Sequence, residues 1–162
     1  IREYADQPVT YEELFPAVQL AMRTPTVCNR QPARLRIILN SGIIGKALDY
    51  QGGFNGYKLP PALLLVTADN AVFMAPQERN EGFTDGGLFG MSLLLSLERE
   101  GLAACPLNTM MKEGPEKATR KLLNIPENEN MVMYIAVGHF PDEVKTCVSH
   151  RFDAADIITI LR

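Results

Sequence analysis

The stretch RTPTVCNRQPARLRII, residues 23–38, is richer in hydrogen-bonding side chains than a helix-to-strand connection needs. Thr26, Asn29 and Gln31 supply a hydroxyl and two amides between two prolines. Amide side chains donate and accept hydrogen bonds at once, so they suit a ligand with mixed polar groups. They also suit a purely local task, because such side chains often bond to the backbone of their own turn. Taken alone, these residues leave both interpretations open.

The spacing of other reactive residues disfavours several kinds of chemistry. The acidic residues include no pair at a spacing typical of general acid–base catalysis. His139 and His150 have no metal-ligand spacing with the cysteines, so no metal site is predicted. The glycine-rich segment GGFNGY, residues 52–57, has no lysine and no strand feeding it. It is therefore predicted to be a turn rather than a phosphate-binding loop.

The cysteines give no sign of a disulfide framework. Cys28, Cys105 and Cys147 are odd in number, widely spaced and outside any CxxC motif, so a reducing cytoplasmic location is expected. Cys28 is expected to be a small packed residue, because Cys is among the most often buried residue types. The chain opens on Ile1 without the plan of a signal peptide, and we expect an incomplete N-terminus.

Length and composition predict one folded domain over residues 1–162. Charged residues make up 22% and hydrophobic residues 46% of the chain, close to ordinary globular usage. A formal net charge of -3 provides no basic patch for nucleic acid, so such a partner is disfavoured. The apolar runs LLLVTA and MSLLLSL are shorter than the ~20 residues that span a bilayer, so no membrane segment is predicted.

Hydrophobic periodicity predicts alternating helices and strands. Thr10 and Glu13 have capping-box spacing at the start of the first helix, and Pro16 predicts a kink or a start one turn later. The order α, β, α, β, α, β, α, β indicates a sandwich in which helices cover a sheet. Helices are predicted at 11–23, 41–51, 83–100 and 114–125, and strands at 34–39, 61–69, 102–108 and 131–140.

Five segments in order resemble the nitroreductase family of FMN-dependent oxidoreductases. The first is the opening IREYADQPV, and the second is a P-[ST]-x-x-N-x-Q-P loop at residues 25–32, called the polar loop below. The third is the core-helix pattern DGGL…LLL…GL, and the fourth is LLNIPEN…AVGHFPDE. The fifth is an S-x-R motif in KTCVSHRFD, residues 145–153.

The resemblance implies an α+β fold, a three-layer α/β/α sandwich around a mostly antiparallel sheet. It also implies an obligate homodimer with an FMN at each of two subunit interfaces. NAD(P)H would reduce the flavin, and a second substrate would then take the electrons. FMN offers a phosphate, a ribityl chain and a polar ring edge, so its site needs guanidinium groups, hydroxyls and amides.

Three residues match the family's basic and phosphate-binding positions at the ends of the chain. Arg2 matches a basic residue that contacts the flavin, although the Arg and Ser that precede it in relatives are absent from this chain. Arg151 matches the family's C-terminal phosphate arginine, and Ser149 belongs to the same motif. The alternative for Arg151 is a solvated charge on the tail.

The polar loop matches the segment that reaches the FMN of the other subunit. In relatives its amides and hydroxyl face the flavin, and its prolines limit its freedom. The residues that carry this expectation are Pro25, Thr26, Val27 and Asn29, with Gln31 and Pro32 completing the motif.

The segment CPLN matches a stretch whose backbone lies against the flavin ring. Pro106, Leu107 and Asn108 are therefore expected to bind the cofactor, and the N–H of Asn108 is expected to donate to N5, the hydride-accepting atom. Such a donor would act by electrostatic preorganisation. Many relatives carry Glu-Gly where this chain has Asn108 and Thr109.

The resemblance predicts an NAD(P)H oxidoreductase that reduces nitroaromatic, quinone or similar conjugated acceptors in two half-reactions. Two alternatives stay open: a flavin-binding or scaffold protein without useful turnover, and a flavoenzyme of the reductive dehalogenase type. The chain departs from many relatives at Ala33, where they have an aromatic residue. Asn55 and Lys58 are further candidates for contact with the flavin.

Overall fold

The computed structural model describes residues 1–144 and 146–162. Lys145, the first residue of the fifth segment, lies outside the described residues; residues 146–162 are called the tail below. The helices and strands are α1 (Tyr11–Ala21), β1 (Ala33–Ile38), α2 (Ser41–Gln51), β2 (Ala62–Asp69), α3 (Glu81–Arg99), β3 (Leu102–Leu107), α4 (Glu113–Leu122), β4 (Glu129–His139) and α5 (Ala154–Ile157).

Four strands form one sheet in the order β1-β2-β4-β3, and each neighbouring pair is antiparallel. Helices α1 and α3 pack on one face, and α2 and α4 cover the other. The predicted three-layer α/β/α sandwich is therefore confirmed, as is the order of its eight main elements. In the described part of the chain, no helix has the length and apolar character needed to cross a membrane.

Local side-chain contacts explain where the helices begin and end. Thr10 and Glu13 form the predicted capping box at α1, which starts at Tyr11 and continues through Pro16. The alternative start one turn later is therefore wrong. Helix α2 ends where Gly52 adopts a left-handed φ of 77°, a conformation that glycine takes without steric cost. The residues after it form the predicted turn.

Helix α3 lies unusually close to the sheet because two of its inward positions are glycine. A Cβ on Gly86 would lie 2.6 Å from a methyl carbon of Val132, and one on Gly90 would lie 2.6 Å from the sulfur of Met133. Val132 is the extra residue of a β-bulge, since Val66 pairs with Met133 while the next residue of β2 pairs with Met131. The absence of two side chains thus allows α3 to pack directly on the bulge.

A half-buried ion pair joins three strands on the α2/α4 side of the sheet. Arg36 of β1 donates to the Glu129 carboxylate at 2.7 Å and to the Thr67 hydroxyl at 3.0 Å. It also donates to the carbonyl of Leu123 beyond α4 at 3.1 Å. Burial alone would raise the pKa of Glu129, but the hydrogen bonds from Arg36 and Thr67 hold it below its ordinary value.

Replacing Arg36 by Met is expected to lower the free energy of unfolding by about 3 kcal/mol, because the Glu129 carboxylate then stays buried without its cation. Replacing both residues by Met should recover most of that loss, since neither charge remains uncompensated. Chemical denaturation at pH 7 measures both variants. The control Lys117→Met removes the cation of an exposed pair with Glu113 and should change stability little. Equal losses in the single and double variants would contradict this account.

The same ion pair should make stability depend on acid. The folded pKa of Glu129 lies below the unfolded value of about 4.3, so its contribution is fully present above that value and is lost as the pH falls through the folded pKa. The wild-type protein should therefore lose more stability than the double variant in this acid window. If the stability of the two proteins depended on pH in the same way, the ionisation of Glu129 would contribute nothing to stability in this acid window.

Candidate functional site

The polar loop and the end of β3 lie at the same end of the sheet but on opposite edges. Ala33, where β1 begins, pairs with Ala68, which in turn pairs with Asn130 of β4. The next residue of β4, Met131, accepts a hydrogen bond at its carbonyl from the hydroxyl of Thr109, which lies just beyond β3. Two strands separate the edges, a distance of about 14 Å at the usual strand spacing. The two predicted flavin-binding segments are thus apart within one chain.

The polar loop has an unusual backbone. Cys28, Asn29 and Gln31 have φ values of 46°, 56° and 50°, in the left-handed region that residues with side chains seldom occupy. Asn tolerates this region better than the other two. The N–H of Gln31 donates to the Thr26 hydroxyl at 3.0 Å. The loop is thus a defined conformation that its surroundings must hold.

Two carboxylates outside the polar loop bind it. The N–H of Val27 donates to both oxygens of Asp85 in α3, each at 3.2 Å. Arg30 donates to Glu78 at 3.2 Å. Hydrogen bonds from the N–H of Met74 and then from Arg30 hold the pKa of Glu78 below its ordinary value. The loop is therefore bound to the core helix, α3, and to the segment that precedes α3.

The peptide between Asn108 and Thr109 is fixed from both sides. The buried side chain of Gln51 donates to the Asn108 carbonyl at 3.2 Å, while its own oxygen accepts from the N–H of Gly53 at 2.7 Å. The single O–H of Thr109 is shared between two carbonyls, that of Met131 at 3.1 Å and that of the bulged Val132 at 3.3 Å. Because this peptide is trans, the Thr109 N–H points away from the carbonyl that Gln51 binds.

The side chain of Asn108 takes part in a local turn. Its oxygen accepts from the N–H of Met110 at 3.0 Å, the Asx-turn arrangement. Asn108 and Thr109 can present their backbone N–H groups to a ligand, and Asn108 also has its side-chain NH2 group. Of their two neighbours, Pro106 is exposed and the Leu107 side chain is buried in the core, so Leu107 also has mainly its backbone to offer.

The N-terminal segment crosses the α2/α4 face of the sheet and brings Arg2 to β3. Tyr4 donates to the carbonyl of Ala136 at 3.0 Å, and its ring covers Gly138, where a Cβ would lie 2.6 Å away. The guanidinium of Arg2 lies 5.6 Å from the centre of the Tyr57 ring. Contact with the Cys105 side chain raises the pKa of Arg2. Like other arginine side chains, it is a cation at every physiological pH.

The predicted phosphate residues lie on the tail. Ser149 and Arg151 are exposed, and Arg151 donates to the carbonyl of His150 at 3.0 Å. Within residues 1–144 and 146–162, no hydrogen bond joins either one to Arg2 or Asn108. One chain therefore brings Arg2 beside β3 and Asn108 to the end of β3, while the polar loop lies at the opposite edge of the sheet.

The sequence-based interpretation missed two residues and misjudged a third. Gln51 and Asp85 were not assigned roles, although Asp85 is the one acid in the otherwise apolar and glycine-rich stretch DGGLFG. That isolated acid is the signal that the sequence offers, and the structure shows its position to be only 2% exposed. The expectation that Cys28 is packed is wrong, because its side chain is exposed. The left-handed backbone turns it outward from the loop.

Comparisons with known proteins identify the family and the fold. A protein of Archaeoglobus fulgidus with the provisional name NADH dehydrogenase/NAD(P)H nitroreductase is 27% identical over 146 residues, 88% of this chain and 81% of that protein. An FMN-dependent nitroreductase from Clostridium difficile has a TM-score of 0.76 at 19% identity, covering 97% of this chain and 88% of its own. An NADPH:FMN oxidoreductase from Vibrio harveyi, solved with NAD+, has a TM-score of 0.81 at 20% identity. The match covers 98% of this chain and 71% of that protein.

The two solved structures show a shared fold. The family model described as the nitroreductase family matches residues 57–139, just over half of the chain. That range includes α3, the Asn108 peptide and the bulge on which both depend. The chain belongs to the nitroreductase family.

Proposed function

We propose that this protein is an FMN-dependent oxidoreductase that uses NAD(P)H to reduce nitroaromatic, quinone or similar conjugated acceptors in two half-reactions. The observation that carries the proposal is the Asn108–Thr109 peptide, which Gln51 and the bulge hold in one orientation. Its family membership and its FMN-dependent structural neighbour support the same function. A cytoplasmic location stays a prediction.

The residues present fit the chemistry of FMN. Arg2 supplies a permanent cation beside β3, and the exposed amides of Asn29 and Gln31 can donate and accept at once. The fixed peptide supplies the N–H of Thr109, and the N–H of Asn108, in the adjoining peptide, is our candidate for the donor to N5. The exposed Ser149 and Arg151 suit a phosphate, to which a guanidinium binds with two parallel hydrogen bonds. Pro25, Thr26, Val27, Pro106 and Leu107 complete the proposed contacts.

The chain's own contribution is to position the flavin and to polarise it. When bound, FMN supplies the chemistry itself, two-electron transfer from NAD(P)H to the acceptor. The N–H of Thr109 needs no reorganisation, since Gln51 has already fixed its peptide through the Asn108 carbonyl, and the N–H of Asn108 lies in the adjoining peptide. Donors fixed in advance stabilise developing charge more than donors that must first turn. Arg2 adds positive charge beside β3.

We infer that the protein works as a homodimer. Helix α3 is apolar on all sides between Leu88 and Leu97, yet Leu88, Met91 and Leu95 on its outer face are about half exposed or more. The outer face of α1 exposes Tyr11 and Phe15 in the same way. The tail carries further exposed apolar side chains and the proposed phosphate residues, and the polar loop lies two strands from Asn108. A second copy would cover these faces and complete each flavin site.

The proposed function predicts a yellow protein. Purified protein supplied with FMN should show the absorbance of oxidised flavin and should lose that colour when NADH or NADPH is added without oxygen. Adding a nitroaromatic or a quinone should then restore it. A protein that stays colourless after incubation with FMN would overturn the proposal. A protein that binds FMN but is reduced by neither nicotinamide, at millimolar concentration, would instead be the non-catalytic flavin-binding alternative.

Gln51 is predicted to act on flavin reduction through the Asn108 carbonyl. Replacing it by Glu keeps the acceptor for Gly53 but removes the amide donor, so the peptide loses one of its two restraints. We expect the rate constant for flavin reduction by NAD(P)H to fall about tenfold, the effect of disturbing a preorganised donor. Stopped-flow absorbance measures it. The control Gln7→Glu makes the same change at an exposed site, and equal rates in both variants would remove Gln51 from the mechanism.

The dimer is predicted to depend on the outer face of α3. Replacing Leu95, which is 61% exposed, by Asp should weaken association, because it would bury a charge in an apolar interface. Sedimentation should show monomers, and FMN binding should be lost with them. The control Glu100→Gln, just beyond α3, should stay dimeric. A Leu95→Asp protein that remains dimeric and yellow would place the interface elsewhere.

A further inference from the structure

We propose that Asp85 is a positioning residue for flavin binding, which it serves from the core helix by holding the polar loop in its left-handed conformation. The inference rests on the proposed function, because the loop is the segment expected to reach the flavin. It assigns a role to a carboxylate that would itself touch neither cofactor nor substrate.

The contact is specific in its geometry. Asp85 lies in the second turn of α3 and is only 2% exposed. Both of its oxygens lie 3.2 Å from the backbone nitrogen of Val27, so one N–H is shared between them. Val27 and Asp85 are 58 residues apart in the chain. The bond therefore joins the loop to the helix that packs on the sheet through Gly86 and Gly90.

A buried carboxylate needs such a partner. Removing a charge from water costs far more free energy than packing returns, unless hydrogen bonds compensate. The position is flanked by Gly86 and lies on the packed side of α3, where an apolar residue would serve packing alone. The carboxylate is thus explained by the backbone N–H that it accepts from. A hydrogen bond to a charged group is also stronger than one between neutral groups.

The loop needs an external restraint at this place. The N–H groups of Asn29 and Arg30 bond to the carbonyls of Thr26 and Val27, so the turn is closed on itself. Its left-handed residues are nevertheless sparsely populated conformations, which persist only where the surroundings determine them. The bond to Asp85 fixes the first residue of the turn relative to the core.

The consequence is that flavin affinity depends on Asp85 indirectly. Asn29 and Gln31 have exposed side chains on the left-handed residues, and their direction follows from the backbone beneath them. If Val27 is released, the loop can relax toward ordinary φ values, and both amides then turn away from the direction that they have now. A loop that must be ordered during binding gives weaker binding than one ordered in advance.

The test compares Asp85→Ala, Asp85→Asn and the control Glu98→Ala, which removes an exposed carboxylate from the same helix. Amide hydrogen exchange at Val27 and Asn29, without added FMN, reads the loop directly. Quenching of FMN fluorescence gives the dissociation constant, and thermal melting reports the fold. Asn keeps an oxygen acceptor at the same place, so it is the rescue variant.

We expect Asp85→Ala to speed exchange at Val27 and Asn29 at least tenfold and to weaken FMN binding about tenfold. Asp85→Asn should stay within about threefold of the wild-type protein in both measurements, since its amide oxygen still accepts. Glu98→Ala should match the wild type. Unchanged loop exchange or unchanged FMN affinity in Asp85→Ala would overturn the inference. So would equal losses in the Ala and Asn variants.

A second variant keeps the test decisive if Asp85→Ala does not fold. Val27→Pro removes the same hydrogen bond from the loop side, and proline is well accommodated at the first position of a helical turn. It should speed exchange at Asn29 without FMN, and unchanged exchange there would overturn the inference; this loop readout decides, because Val27 is itself a proposed flavin contact. Failure of the wild-type protein itself to bind FMN would be a failure of the proposed function. FMN binding by the wild-type protein, with weaker binding by the variants alone, would leave the proposed function intact and support the role of Asp85.

Discussion

The close approach of α3 to β4 is the constraint on which the rest of the structure depends. It exists because Gly86 and Gly90 have no side chains, so the helix backbone can lie against Val132 and Met133. Any Cβ there would push the helix from the sheet, since cores are packed too densely to absorb such a shift. The bulge under Gly86 in turn supplies the carbonyl that holds Thr109. The distance between one helix and one strand thus determines where the proposed donors to the flavin lie.

The same helix links the two halves of the site, which one chain keeps on opposite edges of the sheet. Its inner face supports the Asn108 peptide through the bulge, while Asp85 holds the polar loop. Its outer face remains apolar and exposed. In the proposed dimer the outer face would meet a second copy, and the loop of one subunit would then serve the flavin of the other. In that dimer, α3 alone would contribute to the packing of the core, to the geometry of the polar loop and to subunit assembly.

Periodicity and capping were sufficient to predict most of the fold. The apolar run of β2 and the Thr10–Glu13 box are local patterns, and local patterns survive in the folded chain because they agree with the packing. The site was less accessible. Gln51 and Asp85 act on backbone groups 57 and 58 residues away, which no local pattern encodes. Cys28 was expected to be packed from the average behaviour of its type, whereas its left-handed backbone turns it outward.

The left-handed residues of the polar loop also bear on how the molecule folds. Locally, the chain disfavours these conformations, and the contact with Asp85 that offsets their cost closes a long stretch of chain. Closing such a stretch costs entropy before the contact can return any free energy. The loop should therefore acquire its shape after α3 has docked on the sheet, late in folding. A newly made chain would form its core first and its binding surface last, so an ordered loop reports that the core beneath it is complete.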